Sequence, residues 1–564
     1  MKASFTQYSP YALLLLIVIQ FFIACSPDDN KYGFAVADPN LKISQTTHEV
    51  SKENGTKTIT IEANLPWRAN STANWITINK AQGDAGTHDL ILSFDKNFAI
   101  EERKGIVEIW INSTAKQKIV VTQEAASLED TYTHYYVKPN GTGDGTSWEK
   151  AANLSAVLAL ALNNNDIIHL TEGKYTPAAH PLINTNQEKD FTFLIQSNIK
   201  IIGGYPADAT TNSKPDSNRQ TILSGNNTSV HVVTVLAQKI ANLSVQLENI
   251  TITEGNADAA ASNLTIKGFT VPRDHGAGVI TMESYLSLNN CKVINNKSGR
   301  HAAGMFVTQK SNVIVKNSMI NDNVGLNSNS NAGGIFINNA SMSIYYTDIS
   351  NNRVGGVAGG IQTLTNSEVN MYNVSITNNQ SNSNAGGFYH RGSSKAALIN
   401  CYFYNNVSTE GGAISTHDGS TMSLISSTLY KNESKKLYGA INNQANNSIA
   451  IYNSLLFENF STVNNNGINP VGQVNFYSSA IHQNIYDENE KLQATFSSKD
   501  LDSTNPFAIK PIAANSPIAT LGISVNDLMV LRNKLNLFIT AEEITVDLNN
   551  KTRDKSKTIG AYTY

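Results

Sequence analysis

Two histidines and an arginine carry the most reactive side-chain set in this chain. Tyr389-His390-Arg391 and Lys395 lie in one segment, Gln362 precedes Tyr389 by 27 residues, and His417-Asp418 begin 27 residues after His390. An Arg beside a His could hold a sugar carboxylate, and His417 could accept a proton if Asp418 oriented its ring. His390, Arg391 and His417 are therefore the catalytic candidates, with Gln362, Tyr389 and Lys395 as binding candidates beside them. A solvated polar patch is the plain alternative. Arg273-Asp274-His275 and Arg300-His301 are weaker and read as turn residues. The acids between Gly276 and Asn459 are Glu283, Asp322, Asp348, Glu368, Glu410, Asp418, Glu433 and Glu458. No two of them share an equivalent place in neighbouring repeats, so a calcium cage is not expected and no cofactor is implied.

The element that must position this set is a repeat. Gly278, Gly304, Gly334, Gly360, Gly387, Gly412 and Gly439 step by 26, 30, 26, 27, 25 and 27 residues. Asn296, Asn323, Asn352, Asn379, Asn406, Asn432 and Asn459 step by 27, 29, 27, 27, 26 and 27. Two markers keeping one period define a solenoid. Each unit carries two runs of alternating apolar residues, as in Gly304-Met305-Phe306-Val307-Thr308 and Val369-Asn370-Met371-Tyr372. Period two is strand spacing, and Asn and Gly at the corners accept the left-handed backbone of sharp turns. The spacing predicts a right-handed parallel β-helix in an all-β chain. No Leu-x-x-Leu-x-Leu frame recurs, and a propeller blade needs about 40 residues.

At 564 residues two or more domains are expected. Lys and Arg number 42 against 45 Asp and Glu, with charged residues only 15% of the chain, which invites no nucleic acid. Cys291 and Cys401 occupy the slot held elsewhere by Ser318, Thr347, Val374, Ser427 and Ser454. Four coils at about 4.8 Å each separate them, too far for a disulfide.

Residues 1–24 have the apolar run of a secretory leader, from Ala12 to Ala24, too short to span a bilayer comfortably. Phe22-Ile23-Ala24-Cys25 resembles the bacterial lipobox, which implies a lipid on Cys25. Ser26-Pro27-Asp28-Asp29 is similar to the acidic tract of surface-exported Bacteroidetes lipoproteins. Losing residues 1–24 removes only Lys2, so the mature charge is 41 − 45 = −4. Residues 25–40 form a tether.

Residues 41–125 hold short alternating strands of a small Ig-like β-sandwich. Trp67, Trp75-Ile76, Gly83, Gly86, Asn97, Arg103-Lys104-Gly105 and Val121-Thr122-Gln123-Glu124-Ala125 resemble the BACON domain. That resemblance implies a carbohydrate context. Trp67 is a candidate sugar platform, with a place in the sandwich core as the alternative.

A joint at 126–133 leads to the β-helix, assigned to 134–500. Tyr135 to Trp148, Ile199 to Pro206 and Thr221 to Asn226 resemble the first coils of the pectin-lyase-like superfamily. Gly411-Gly412-Ala413-Ile414 resembles the chlamydial polymorphic membrane protein repeat. Asn153 to Leu162 has the spacing of a capping helix. An insertion from Asn256 to His275 is expected to wall one side of a groove. Residues 501–564 resemble a closing segment of Bacteroidetes β-helix proteins, with Val525 to Phe538 as a second capping helix.

Together these features imply a lipid-anchored protein exposed on the outer membrane. Its β-helix binds polysaccharide or glycoprotein glycans, on host or matrix surfaces as an adhesin would, without catalysis. The alternative is a polysaccharide lyase or glycoside hydrolase working around His390, Arg391 and His417 on a uronate polymer. A groove in which those three converge favours the enzyme, and a polar face without them favours binding.

Overall fold

The computed structural model describes residues 38–97, 99, 101–127, 132–185, 187–258, 262–463, 467–469, 471–481, 484–486, 492–495, 501–502, 510–511, 524–535, 537–540, 542–549, 551–553 and 561. The leader, Cys25, most of the tether, Ser516 to Ala519 and Ile559-Gly560 lie outside them. Contacts divide the chain into two units, Met1–Thr131 and Tyr132–Tyr564.

The first unit is a sandwich of a four-stranded and a five-stranded sheet. Alternation along Gly55–Ala63 and Gly86–Phe94 turns Ile59, Ile61, Leu90 and Leu92 inward, against Val107, Ile109, Ile119 and Val121 of the facing sheet. Full burial of each such side chain is worth about 1.5–3 kcal/mol. The platform role for Trp67 fails on this packing: its ring is 1% exposed. A Cβ at Gly83 would come within 2.6 Å of the indole, so glycine at 83 is what makes room for it. The polar residues of the same stretch tie loops together. Asn97 Nδ2 donates to the Glu124 carbonyl at 2.8 Å, and Arg103 Nε donates to Gln123 Oε1 at 2.8 Å.

The second unit is a parallel β-helix of three sheets. A long sheet of 23 strands runs from His134–Val137 to Leu492–Thr495. A nine-stranded sheet runs from Phe193–Ile195 to Ile441–Asn443, and an eight-stranded sheet from Asn256–Ala257 to Phe460–Ser461. Successive coils pair parallel and in register, as Phe306↔Phe336 and Phe336↔Gln362 do. At the far end Ser479–Ile481 pairs antiparallel with Asn484–Tyr486, which turns the last edge back on itself. Inside lie Val279, Met305, Val307, Ile335, Ile361 and Phe388 with their counterparts from the long sheet.

The repeated asparagines form a buried ladder at one corner. From Asn323 to Asn459 each Asn accepts, on Oδ1, both the backbone N–H and the Nδ2–H of the Asn one coil earlier, starting from Asn296, at 2.8–3.1 Å. The residue before each, Asn295, Asp322, Asn351, Asn378, Asn405, Lys431 and Glu458, has φ between 47° and 56°. That left-handed residue turns the chain and aims the next side chain inward. Cys291 and Cys401 sit in the other buried slot as free thiols, and burial pushes both up to about 12. Their backbone N–H groups donate to Ser318 and Ser427 hydroxyls at 3.0 Å.

The Asn153-capped helix spans Leu154–Leu158, shorter than its apolar spacing predicts, and buries Leu154, Val157 and Leu158 in the first coils. The second helix, Val525–Lys534, covers a flank of the coil instead of its last turn. Leu528 and Leu531 pack on Tyr372, Ile399 and Ile425, an apolar stripe on the outside of the long sheet. The Asn373, Asn400 and Thr428 side chains bond the segment that follows the helix. The 256–275 insertion contains a hairpin, Asn263–Ile266 paired with Phe269–Pro272. Lys267 and Gly268 form its turn at φ 49° and 84°. Leu264, Ile266 and Val271 lie on Leu194, Leu236, Ile280 and Met282 of the nine-stranded sheet. Arg273 clamps the base of the hairpin to buried Asp190 through two bonds of 2.7 and 2.9 Å.

Candidate functional site

The outer face of the nine-stranded sheet, beyond the hairpin, gathers most of the reactive side chains. Period-two alternation decides which they are. Phe388 faces inward, so Tyr389 faces out and His390 faces in again, in register with Thr363 and Thr416.

His390 is therefore not a surface base. It is 0% exposed. Its Nδ1 lies 2.8 Å from the Thr363 hydroxyl and its Nε2 3.0 Å from the Thr421 carbonyl. Burial pushes its pKa down to about 4, so the ring is neutral and donates through Nε2. Lys395 is also elsewhere: it starts a strand of the long sheet, exposed, in register with Glu368 and Thr421.

Tyr389, Arg391, His417 and Asp418 do come together. Arg391 lies 5.7 Å over the Tyr389 ring, and His417 meets the same ring at 5.0 Å. Asp418 Oδ2 accepts a hydrogen bond from Arg391 Nε at 2.8 Å and lies 2.7 Å from Nη2 of the same guanidinium in an ion pair. His417 Nε2 lies 3.0 Å from the Ser415 hydroxyl, and burial lowers its pKa against the smaller upward pull of Asp418. The arginine that would hold a carboxylate is already paired, and the acid that would orient the histidine is spent on that pair. Gln362 sits one coil away, between Phe336 and Tyr389 in register and 3% exposed, with no partner for Oε1.

The two motifs read as turn residues, Arg273-Asp274-His275 and Arg300-His301, form a second cluster. His275 and His301 occupy one corner position in adjacent coils, their rings 4.6 Å apart. Asp274 Oδ1 accepts from His275 Nδ1 at 2.6 Å. His275 packs on Phe306, and His301 stacks on Phe336 at 5.0 Å. Burial lowers both, His301 to about 3. Their 26-residue spacing, equal to a repeat step, was the signal. The floor of the face is thus aromatic rings, amides and neutral imidazoles. Of the neighbouring carboxylates, Asp274 is bonded to His275 and Asp418 to Arg391, and Glu410, in register with Asn384, accepts from Asn442 Nδ2 at 3.4 Å. Among the described residues no group of three or more His, Cys, Asp or Glu could hold a metal ion. No helix among them is long and apolar enough to cross a membrane.

The register defines the second unit as a parallel β-helix, and residues 40–126 of the first match the family model described as the viral BACON domain. Among solved structures, pectate lyase Pel9A is similar at 14% identity over 77% of this chain and 96% of that one, with a TM-score of 0.45. A Bacteroides ovatus GH5 xyloglucanase in complex with a XXXG heptasaccharide is similar at 17% identity over 30% of this chain and 37% of that one, TM-score 0.15. No curated protein matches the chain.

Proposed function

We propose that this is a non-catalytic glycan-binding protein of the cell surface, tethered to the outer membrane by a lipid on Cys25, whose outer β-helix face grips polysaccharide or glycoprotein glycans. One observation carries the binding reading. Four consecutive coils each present a buried polar atom on this face that lacks a protein partner: His301 Nδ1, Asn338 Oδ1, Gln362 Oε1 and Asn384 Oδ1. Buried polar atoms ordinarily find a partner, so each of these, which no bond holds in place, gains one when its side chain turns outward to a ligand hydroxyl or a water. Coils rise by about 4.8 Å, and the register puts His301 and Asn384 five residues before the Gln362 column and Asn338 two after it, so the four atoms spread across the face and suit a ligand that lies over several coils. The Phe306, Phe336 and Tyr389 rings, 6%, 3% and 4% exposed, pack among them and hold the floor rigid. The lyase reading loses His390 to the interior and its arginine to Asp418.

Affinity electrophoresis of the full chain against plant, microbial and host polysaccharides tests the proposal. Gln362→Leu keeps the volume and removes the unpaired amide, so stability holds or rises slightly. Affinity for the bound polymer is expected to fall about 5- to 10-fold, the worth of about 1 to 1.4 kcal/mol in lost hydrogen bonds. Wild type that binds no polymer, or a variant that binds as well as wild type, would overturn it. Incubation with uronate polysaccharides is expected to release no unsaturated product.

A further inference from the structure

The hairpin does more than wall the face: its tip closes a second cleft, of about 640 Å³, against the turns that follow the nine-stranded sheet. Three amines line it, Lys239, Lys267 and Lys310, against one carboxylate, Glu283. This local excess of two positive charges occurs in a chain whose net charge is −3. No ion pair engages any of the three lysines among the described residues. Lys239 is fixed in place: Nζ donates to the Lys310 carbonyl at 2.8 Å and to Asn312 Oδ1, and lies 4.5 Å over the Tyr285 ring. Lys267 and Lys310 are exposed, and Phe269 offers a half-buried ring beside them.

The backbone of the turns supports a role for the long side chains. At this turn the later coils put small or Asn/Asp residues into the left-handed region, namely Asn339, Thr365-Asn366, Gly392-Ser393, Asp418-Gly419 and Asn446. Beside the hairpin the same turn carries Glu283 and Gln309-Lys310, at φ 48°, 51° and 60°, and the hairpin tip adds Lys267 at 49°. Such residues pay roughly 1–2 kcal/mol in that conformation, which Asn or Gly largely escape.

We propose that this cleft is a separate subsite for an acidic sugar, one bearing a carboxylate or a sulfate ester. Its amines neutralise the anion and Phe269 covers the ring face. The choice of a sugar over another anion rests on the glycan-binding reading above; the charge preference rests on the cleft alone.

Affinity electrophoresis and calorimetry of the full chain would use polygalacturonate and alginate as carboxylate polymers, dextran sulfate and chondroitin sulfate as sulfated ones, and dextran and galactan as neutral ones. Acidic polymers of one class are expected to bind at least tenfold more tightly than the neutral ones, with the advantage shrinking as salt rises. The double variant Lys267→Gln/Lys310→Gln, both at exposed sites, is expected to lose that advantage, about tenfold or more, and to keep its neutral-polymer binding and its melting temperature. Equal binding of acidic and neutral polymers, or a double variant that still prefers acid, would overturn the subsite and leave the glycan face standing. Acid binding that needs the lysines but ignores Gln362→Leu would support the subsite and sink the other proposal. The carboxylate and sulfate arms identify which acid is preferred.

Discussion

Asn379→Ala is expected to destabilise the β-helix by about 4 kcal/mol. The substitution leaves the backbone N–H and the Nδ2–H of Asn352 without their shared acceptor. It also strips the Ile349 carbonyl and the Asn406 Oδ1 of the Asn379 amide donor. Each orphaned group buried away from water costs about 1–3 kcal/mol, and partial relaxation keeps the total below the simple sum. Asn378→Ala is the control: that side chain is exposed, and it gives up its left-handed backbone preference and one surface bond from Asn405 Nδ2 at 2.7 Å, together worth about 1–2 kcal/mol. Urea unfolding followed by tyrosine fluorescence, with hydrogen exchange on the amides of the flanking coils, measures both. Equal midpoints for the two variants would show that water replaces the ladder at no cost.

Acid is expected to weaken the fold well before the carboxylates titrate. His169 and His301 are pushed down to about 3, and His231 and His390 to about 4, in each case chiefly by burial. The unfolded chain takes up protons on these rings near the ordinary value of about 6.5, while the folded chain refuses them. Folding stability is therefore fully present above pH 6.5 and lost as pH falls toward 4, at up to about 1.4 kcal/mol per pH unit for each ring. His390→Gln can keep both bonds, donating to Thr421 and accepting from Thr363, without titrating. Its stability is expected to fall less steeply between pH 6 and 4.5, by about one proton's worth. Denaturant midpoints across that window decide it, and slopes that match wild type would mean that His390 charges freely in the native state.

Much of the fold is visible in the residues themselves. The glycine and asparagine periods mark the coils, and the alternation within each run orients them. The same alternation holds the answer for His390, because adjacent residues of one strand cannot share a face. Tyr389 and Arg391 belong together, and the histidine between them belongs to the core with Phe388. Trp67 is settled by a partner distant in sequence, the glycine at 83 that accommodates its ring, and no local pattern shows that pairing. His275 and His301 look like turn residues one at a time; only their shared position in neighbouring coils makes them a pair. The helical spacing of Val525 to Phe538 is plain. Its docking place follows from Tyr345, Tyr372, Ile399, Ile425 and Tyr452, which fill equivalent positions in successive coils and leave an apolar stripe needing cover.

That stripe bears on the order in which the molecule assembles. Neighbouring coils meet across some 25 to 30 residues, so the solenoid can zip from any early nucleus with modest loop-closure entropy. The C-terminal segment is different: its bonds to Asn373, Asn400 and Thr428 span 133 to 174 residues. It also follows in sequence the coils that it covers, and so leaves the ribosome after them. Until it docks, a newly made chain carries a row of tyrosine and isoleucine open to water, and a truncated one keeps that row permanently. The segment from Val525 onward thus shields from water a row that the coils themselves leave open.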